Sequence, residues 1–184
     1  TLTAETGTPA ERIDTAILEI EAEIRDELLD RIFAIDDQTR RAAFFEELVV
    51  RLLIAMGYGE GIDNPGRRLG RAGDGGIDGI IHLDPLGIDR VLVQAKCYER
   101  TASISPEQVR GFSGSLDDKK TTRGVFITTA HFSDACRRYV EGIQKQIVLI
   151  DGDELARLML RYNIGVRDER IVIIKKLDED FFEG

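Results

Sequence analysis

The run Val91-Leu-Val-Gln-Ala-Lys-Cys-Tyr98 constrains this chain more than any other segment. Read as a strand, it turns alternate side chains to opposite sides. Val91, Val93, Ala95 and Cys97 then form a wholly apolar face, while Leu92, Gln94 and Lys96 form the other. An amide and an ammonium thus stand side by side in a run otherwise suited to burial. Buried polar groups cost free energy unless partnered, and an unpaired charge costs far more. An anionic group is therefore expected opposite Lys96. The run Ile77-Asp-Gly-Ile-Ile81 offers Asp78 from the preceding strand, across a hairpin turned at Asp84-Pro85-Leu86-Gly87.

Around this hairpin the pattern alternates. Ile13, Ile17, Ile20, Ile24, Leu28 and Ile32 recur at three- and four-residue steps, predicting an amphipathic helix over 10–34, begun at Pro9. A second helix is expected from Gln38 to Met56, with Phe45, Leu48, Leu52 and Ala55 inward and Gly57 as its stop. Residues 57–79 hold nine glycines interleaved with Arg67, Arg68 and Arg71, and read as loop. After the hairpin strands (77–83 and 90–98), a helix is expected from Pro106 behind an N-cap at Ser105. A strand over 124–129, a helix over 133–142, a strand over 146–150 and a helix to Tyr162 follow, the last opened by the capping-box spacing Asp151 to Glu154. Residues 170–175 suit one more strand. Strands alternating with helices after a hairpin mean an α/β fold with a mixed central β-sheet flanked by helices, plus an N-terminal helical extension. The division expected is 1–36 as lead-in and connector helix, and 37–184 as one domain.

Composition narrows the classes. The 184 residues suffice for a sizeable core without disulfides. No apolar run reaches the roughly 20 residues that span a bilayer, so no membrane partner is expected. Cys97 and Cys136 lack metal-ligand spacing and read as reduced thiols, pointing to a cytoplasmic location. A net charge of -9 disfavours a protein that coats nucleic acid through excess Lys and Arg, yet suits a carboxylate-lined cation site. No dinucleotide fingerprint, phosphate loop, calcium loop or paired zinc histidines occur.

Hard cations such as Mg²⁺ take oxygen ligands. Asp78, Gln94 and the backbone carbonyl of Ala95 could provide them, leaving Lys96 beside an activated water. Each residue has a plainer reading when taken alone: Lys96 as a strand-end lysine reaching for solvent, Asp78 as a turn residue. It is the combination that favours chemistry.

The pattern Gly73-Asp74-Gly-Gly-Ile-Asp78-Gly followed by Gln94-Ala-Lys96 resembles the catalytic core of the Mrr-type restriction endonucleases, within the PD-(D/E)xK nuclease superfamily. The resemblance extends to Phe45-Glu46-Glu-Leu48, Met56-Gly57-Tyr58, Val109-Arg-Gly-Phe112, Gly124 to Ser133 and Leu149-Ile-Asp-Gly152, covering roughly residues 42–165. It implies a restriction-endonuclease-like fold and a metal-dependent DNA endonuclease directed at foreign or methylated DNA. By the same resemblance Asp78 binds metal, Gln94 replaces the commoner carboxylate, Lys96 is the catalytic lysine, and Glu46 is the acid from the first core helix, reaching the metal through a water. Glu46 is preferred to Glu47 because it directly follows Phe45.

Mg²⁺ is the expected cofactor, with Mn²⁺ able to substitute. Asp74 is expected either to form its turn or to support the site. Arg67, Arg68 and Arg71 as a group are expected to steer phosphate. Thr128 and Thr129 either touch DNA or make local bonds at a strand-to-helix turn; His82 is read as a sheet-face residue. Double-stranded DNA, a homodimer or DNA-induced oligomer, and an N-terminal DNA-recognition domain outside this chain are the expected partners. A nuclease for branched or damaged DNA, and a catalytically silent DNA-binding module, remain alternatives.

Overall fold

The computed structural model describes residues 7–58, 66–68 and 76–183, of which 66–68 by backbone alone. Two helices come first. Helix α1 (Pro9–Phe33) opens with a reciprocal cap, in which the Thr8 backbone N–H donates to Glu11 and the Glu11 N–H donates to the Thr8 hydroxyl. Helix α2 (Gln38–Ala55) is capped by Asp37, which accepts from the Arg40 N–H at 2.7 Å. Strands β1 (Gly66–Arg68), β2 (Gly79–His82) and β3 (Arg90–Lys96) follow. Then come β4 (Ser103–Ile104), α3 (Pro106–Asp118), β5 (Arg123–Thr128) and β6 (His131–Phe132). Helix α4 (Asp134–Glu141), β7 (Gln146–Ile150), α5 (Gly152–Arg161) and a short α6 (Glu179–Glu183) complete the order.

Among the described residues the main sheet runs β1-β2-β3-β5-β7. Its first three strands are antiparallel and its last two join β3 in parallel. Parallel neighbours need crossovers, and α3 and α4 supply them. A separate two-residue ladder joins β4 to β6 in parallel.

Strand alternation sorts the core into two layers. Ile81, Val91, Val93, Ala95, Val125, Ile127 and Ile150 face α1, α2 and α5. Ile80, Leu92, Phe126 and Ile147 face α3, α4 and the small ladder. On that second side Phe126 meets Phe112 and Phe132 edge-on, with ring centroids 5.5 and 5.4 Å away. Three layers result, helix–sheet–helix, and the mixed sheet flanked by helices is as expected.

Three expectations need correcting. The glycine-rich stretch is not all loop, because Gly66–Arg68 forms the edge strand β1, with Arg67 opposite Ile80 and Arg68 opposite Gly79. Residues 170–175 form no strand in the single chain, and Ile171, Val172, Ile173 and Ile174 are all exposed. The apolar stripe of α1 is only partly used. Leu28, Leu29 and Ile32 enter the core, while Ile13, Ile17 and Ile20 stay exposed. Among the described residues no helix is long and apolar enough to cross a membrane.

Candidate active site

The β2–β3 hairpin builds the site. Its turn is tied by Asp84, whose carboxylate accepts from the Leu86 and Asp89 N–H groups, so the register of the two strands is fixed from that end. At the opposite end Asp78 precedes β2. Its backbone N–H donates to the Val93 carbonyl at 2.9 Å, and its carboxylate accepts from the Ala95 N–H at 2.7 Å. These two bonds draw Asp78 against the end of β3. Lys96 Nζ lies 3.6 Å from Asp78 Oδ2, which is the anionic partner its place in an apolar strand demands.

The electrostatics of Asp78 are unfavourable to its own charge. Burial pushes its pKa above the ordinary carboxylate value, and the negative charge of Glu46 pushes the same way. The Ala95 N–H and the Lys96 charge pull it down without cancelling that rise. Glu46 is half-buried on α2 among Phe45, Leu48 and Val49, whereas Glu47 is exposed and pairs with Arg51. Of the two neighbouring glutamates, it is Glu46 whose charge is felt at Asp78.

Gln94 lies on the α3 side of the sheet, 7% exposed, and its Oε1 has no hydrogen-bond partner. An orphaned buried carbonyl oxygen is costly unless something electropositive meets it. Gly76 presses on the same side chain from the other direction. A Cβ there would fall 2.5 Å from Gln94 Nε2, and the backbone has φ +78°, a conformation that favours glycine. Only glycine at this position leaves room for the Gln94 amide.

An underfilled acceptor beside a carboxylate whose ionisation is disfavoured fits a hard divalent cation. The donors are few. Among the described residues no three His, Cys, Asp or Glu side chains gather as a metal cluster. Glutamine in place of a third carboxylate accounts for this, since Asp78, Glu46 and the Gln94 amide oxygen are what this hairpin and α2 offer.

Thr128 and Thr129, expected either to touch DNA or to make local bonds, make local bonds within this chain. Both are buried, at 0% and 1% exposure. Thr128 pairs with Lys96 across the parallel β3–β5 ladder, and its hydroxyl donates to the Lys96 carbonyl at 2.7 Å. The Thr129 hydroxyl donates to the Tyr98 carbonyl at 2.6 Å. They clamp the chain on both sides of Cys97 and so position Lys96, the local-bond alternative. Gly152 backs this clamp, because a Cβ on it would lie 2.5 Å from the Thr129 carbonyl oxygen.

Two side chains went unnoticed in the sequence. Tyr98 follows Lys96 by two residues and is partly exposed, and its hydroxyl accepts from Gln108 Nε2 at 3.2 Å. The Gln108 carbonyl oxygen meanwhile accepts from the Ser105 N–H, tying the start of α3 to the chain beyond Lys96. The i+2 spacing from Lys96 was the only available signal. Burial raises the Cys97 thiol pKa, in keeping with an inert cysteine. Cys136 is buried and donates to the Ile104 carbonyl. His82 sits on β2 with a buried, unpartnered Nδ1, away from this constellation. Arg71 and Asp74 lie outside the described residues, as do the side chains of Arg67 and Arg68.

Comparison with known proteins points one way. Residues 38–159 match a restriction endonuclease family, the Mrr catalytic domain. The chain is 37% identical over 177 residues to the type IV methyl-directed restriction enzyme EcoKMrr of Escherichia coli (strain K12), a match covering 96% of this chain and 55% of that protein. The chain thus spans about half the length of that curated relative. The restriction endonuclease MspJI, solved in complex with a 27-mer oligonucleotide, superposes with a TM-score of 0.53 at 30% identity, over 77% of this chain and 33% of that one. The DNA modification-dependent restriction endonuclease AspBHI has a TM-score of 0.56 at 18% identity, over 77% and 36%, and shares the fold.

Proposed function

This chain belongs to the Mrr-type restriction endonuclease catalytic family, and on that premise we propose that it is a Mg²⁺-dependent endonuclease cutting methylated or otherwise modified double-stranded DNA. The observation that carries the reading is the hairpin constellation: Lys96 3.6 Å from Asp78, beside the orphaned Gln94 oxygen. The methyl-directed activity named for the relative and the oligonucleotide-bound neighbour support the substrate class.

In this reading Asp78, the Gln94 amide oxygen and the Ala95 carbonyl would hold the cation, with Glu46 reaching it through a water. Mg²⁺, with Mn²⁺ as substitute, would supply positive charge against the scissile phosphate and acidify nearby water. Lys96 orients the attacking water and offsets negative charge developing on the phosphate oxygens. Water adds to phosphorus as the P–O3′ bond breaks, leaving a 5′-phosphate and a 3′-hydroxyl. Thr128 and Thr129 keep the Lys96 main chain in place while this happens. Arg67, Arg68 and Arg71 steer phosphate, and Asp74 supports the site.

Residues 1–36 form a lead-in and connector helix and 37–184 the nuclease unit, with a separate reader domain expected to choose the DNA. Cutting both strands requires two such sites, so the working form is a homodimer or a DNA-induced oligomer. Two reduced thiols suit a cytoplasmic setting. The test is cleavage of a plasmid in methylated and unmethylated form, with Mg²⁺ or Mn²⁺. Metal-dependent cutting of the methylated form is expected. With the reader domain joined to this chain, equal cutting of both forms would refute the modified-DNA substrate, and equal cutting in chelator would refute the metal.

A further inference from the structure

Residues 170–175 and strand β7 share nearly one sequence. Gln146-Ile-Val-Leu-Ile150 is a strand, and Arg170-Ile-Val-Ile-Ile174 repeats it with one Leu–Ile exchange inside the apolar run. The second run has the β-branched composition that pleated structure favours, yet has no strand partner in the single chain. Ile171, Val172, Ile173 and Ile174 are 67–81% exposed, and four consecutive exposed β-branched residues invite pairing.

The same molecule presents an edge strand. Among the described residues β7 ends the sheet order, and Val148 on it is 54% exposed. Beside that edge runs a groove of about 750 Å³ between α1 and α5, lined in part by Ala22, Leu29, Val148, Leu149 and Leu158. Charge favours one orientation. β7 leads into Asp151, Asp153 and Glu154, of which Asp151 also pairs with Arg137 and Glu154 with Arg157, whereas the 170–174 run leads into Lys175 and Lys176. A parallel strand in matching register sets Lys175 and Lys176 beside that acidic end, and continues the parallel half of the sheet. An antiparallel strand would set them beside Lys145 instead.

We propose that residues 170–175 add in parallel to the β7 edge of a second copy of this chain, giving a homodimer by reciprocal strand exchange. A two-fold dimer of this kind satisfies both edges at once and pairs two hairpin sites. The pairing of sites gives the exchange its purpose under the nuclease reading; the strand chemistry does not depend on that reading.

The test is molar mass by sedimentation, without DNA or metal, for the wild-type chain and for Ile171→Lys/Ile173→Lys. A wild-type dimer and a monomeric variant that still unfolds cooperatively, with a melting temperature no longer dependent on concentration, are expected. A wild-type monomer at all concentrations, or a variant that stays dimeric, overturns the proposal. A second measurement mixes Val148→Cys chains with Val172→Cys chains and adds a short bis-maleimide, with each single variant alone as control for the native thiols. A covalent dimer specific to the mixture is expected. Cross-linking within a separately prepared chain carrying both substitutions, with none in the mixture, would place the segment on its own β7 and overturn the exchange. Cleavage by the same wild-type protein tests the nuclease reading separately, so failure of either is recognisable.

Discussion

Asp78 is held where its own ionisation is disfavoured, and this has a measurable consequence for the metal-free protein. Its folded pKa lies above the unfolded value of about 3.9, because burial and Glu46 outweigh Lys96 and the Ala95 N–H. Stability from the protonated form is fully present below the unfolded pKa and is lost as pH rises through the folded one. Asp78→Asn should therefore raise the melting temperature of metal-free protein at neutral pH, and the gain should vanish below about pH 4. Calorimetry across that range checks this; a loss of stability at neutral pH would contradict it. Gln94→Glu should act oppositely, placing a second charge where exposure is only 7%. Its metal-free melting temperature should fall, and titration calorimetry should find Mn²⁺ bound about tenfold tighter or more, a gain of about 1.4 kcal/mol per decade. The Asp78–Lys96 pairing was legible in the sequence because strand alternation singles out Lys96 as a charge needing a partner. The duty of Thr128 and Thr129 was not, because their carbonyl partners are set by the parallel register of β5 on β3, a long-range fact.

The elements around the hairpin act as its mount. Phe126 on β5 is buried between the rings of Phe112 and Phe132 and so holds α3 and the small ladder to the sheet. Phe126→Ala should cost about 3–5 kcal/mol in denaturant unfolding. A loss below about 1 kcal/mol would mean that this second layer is not part of the cooperative core. Gly152→Ala is a finer probe of the clamp. The added methyl meets the Thr129 carbonyl, so the Thr129 and Lys96 main chain must shift. Displacement by about 1 Å can cost on the order of 10²-fold in rate, and kcat should fall with KM little changed. An unchanged kcat would contradict a positioning role. Most of these elements were legible because they are long enough to show a period: eighteen residues in α2, seven in β3. The β4 and β6 strands, two residues each, carry no period, and β1 is hidden among glycines.

At the level of the whole chain, a net charge of -9 leaves little general affinity for DNA. The exposed N-terminal half of α1 and the exposed 170–174 run show that not all apolar surface is used within one copy. The sequence pattern marked both segments as helix- and strand-like, but in the single chain the second pairs with no strand. The central proposal is that one hairpin supplies Asp78 and Gln94 to a metal ion and Lys96 to the substrate, with Glu46 added from α2. The direct test compares wild-type, Lys96→Ala and Asp78→Ala proteins for Mn²⁺ binding and for plasmid cleavage. Lys96→Ala is expected to bind Mn²⁺ still but to cut on the order of 10²–10⁴-fold more slowly, while Asp78→Ala loses both binding and cutting. Cleavage at the wild-type rate by either variant would contradict it.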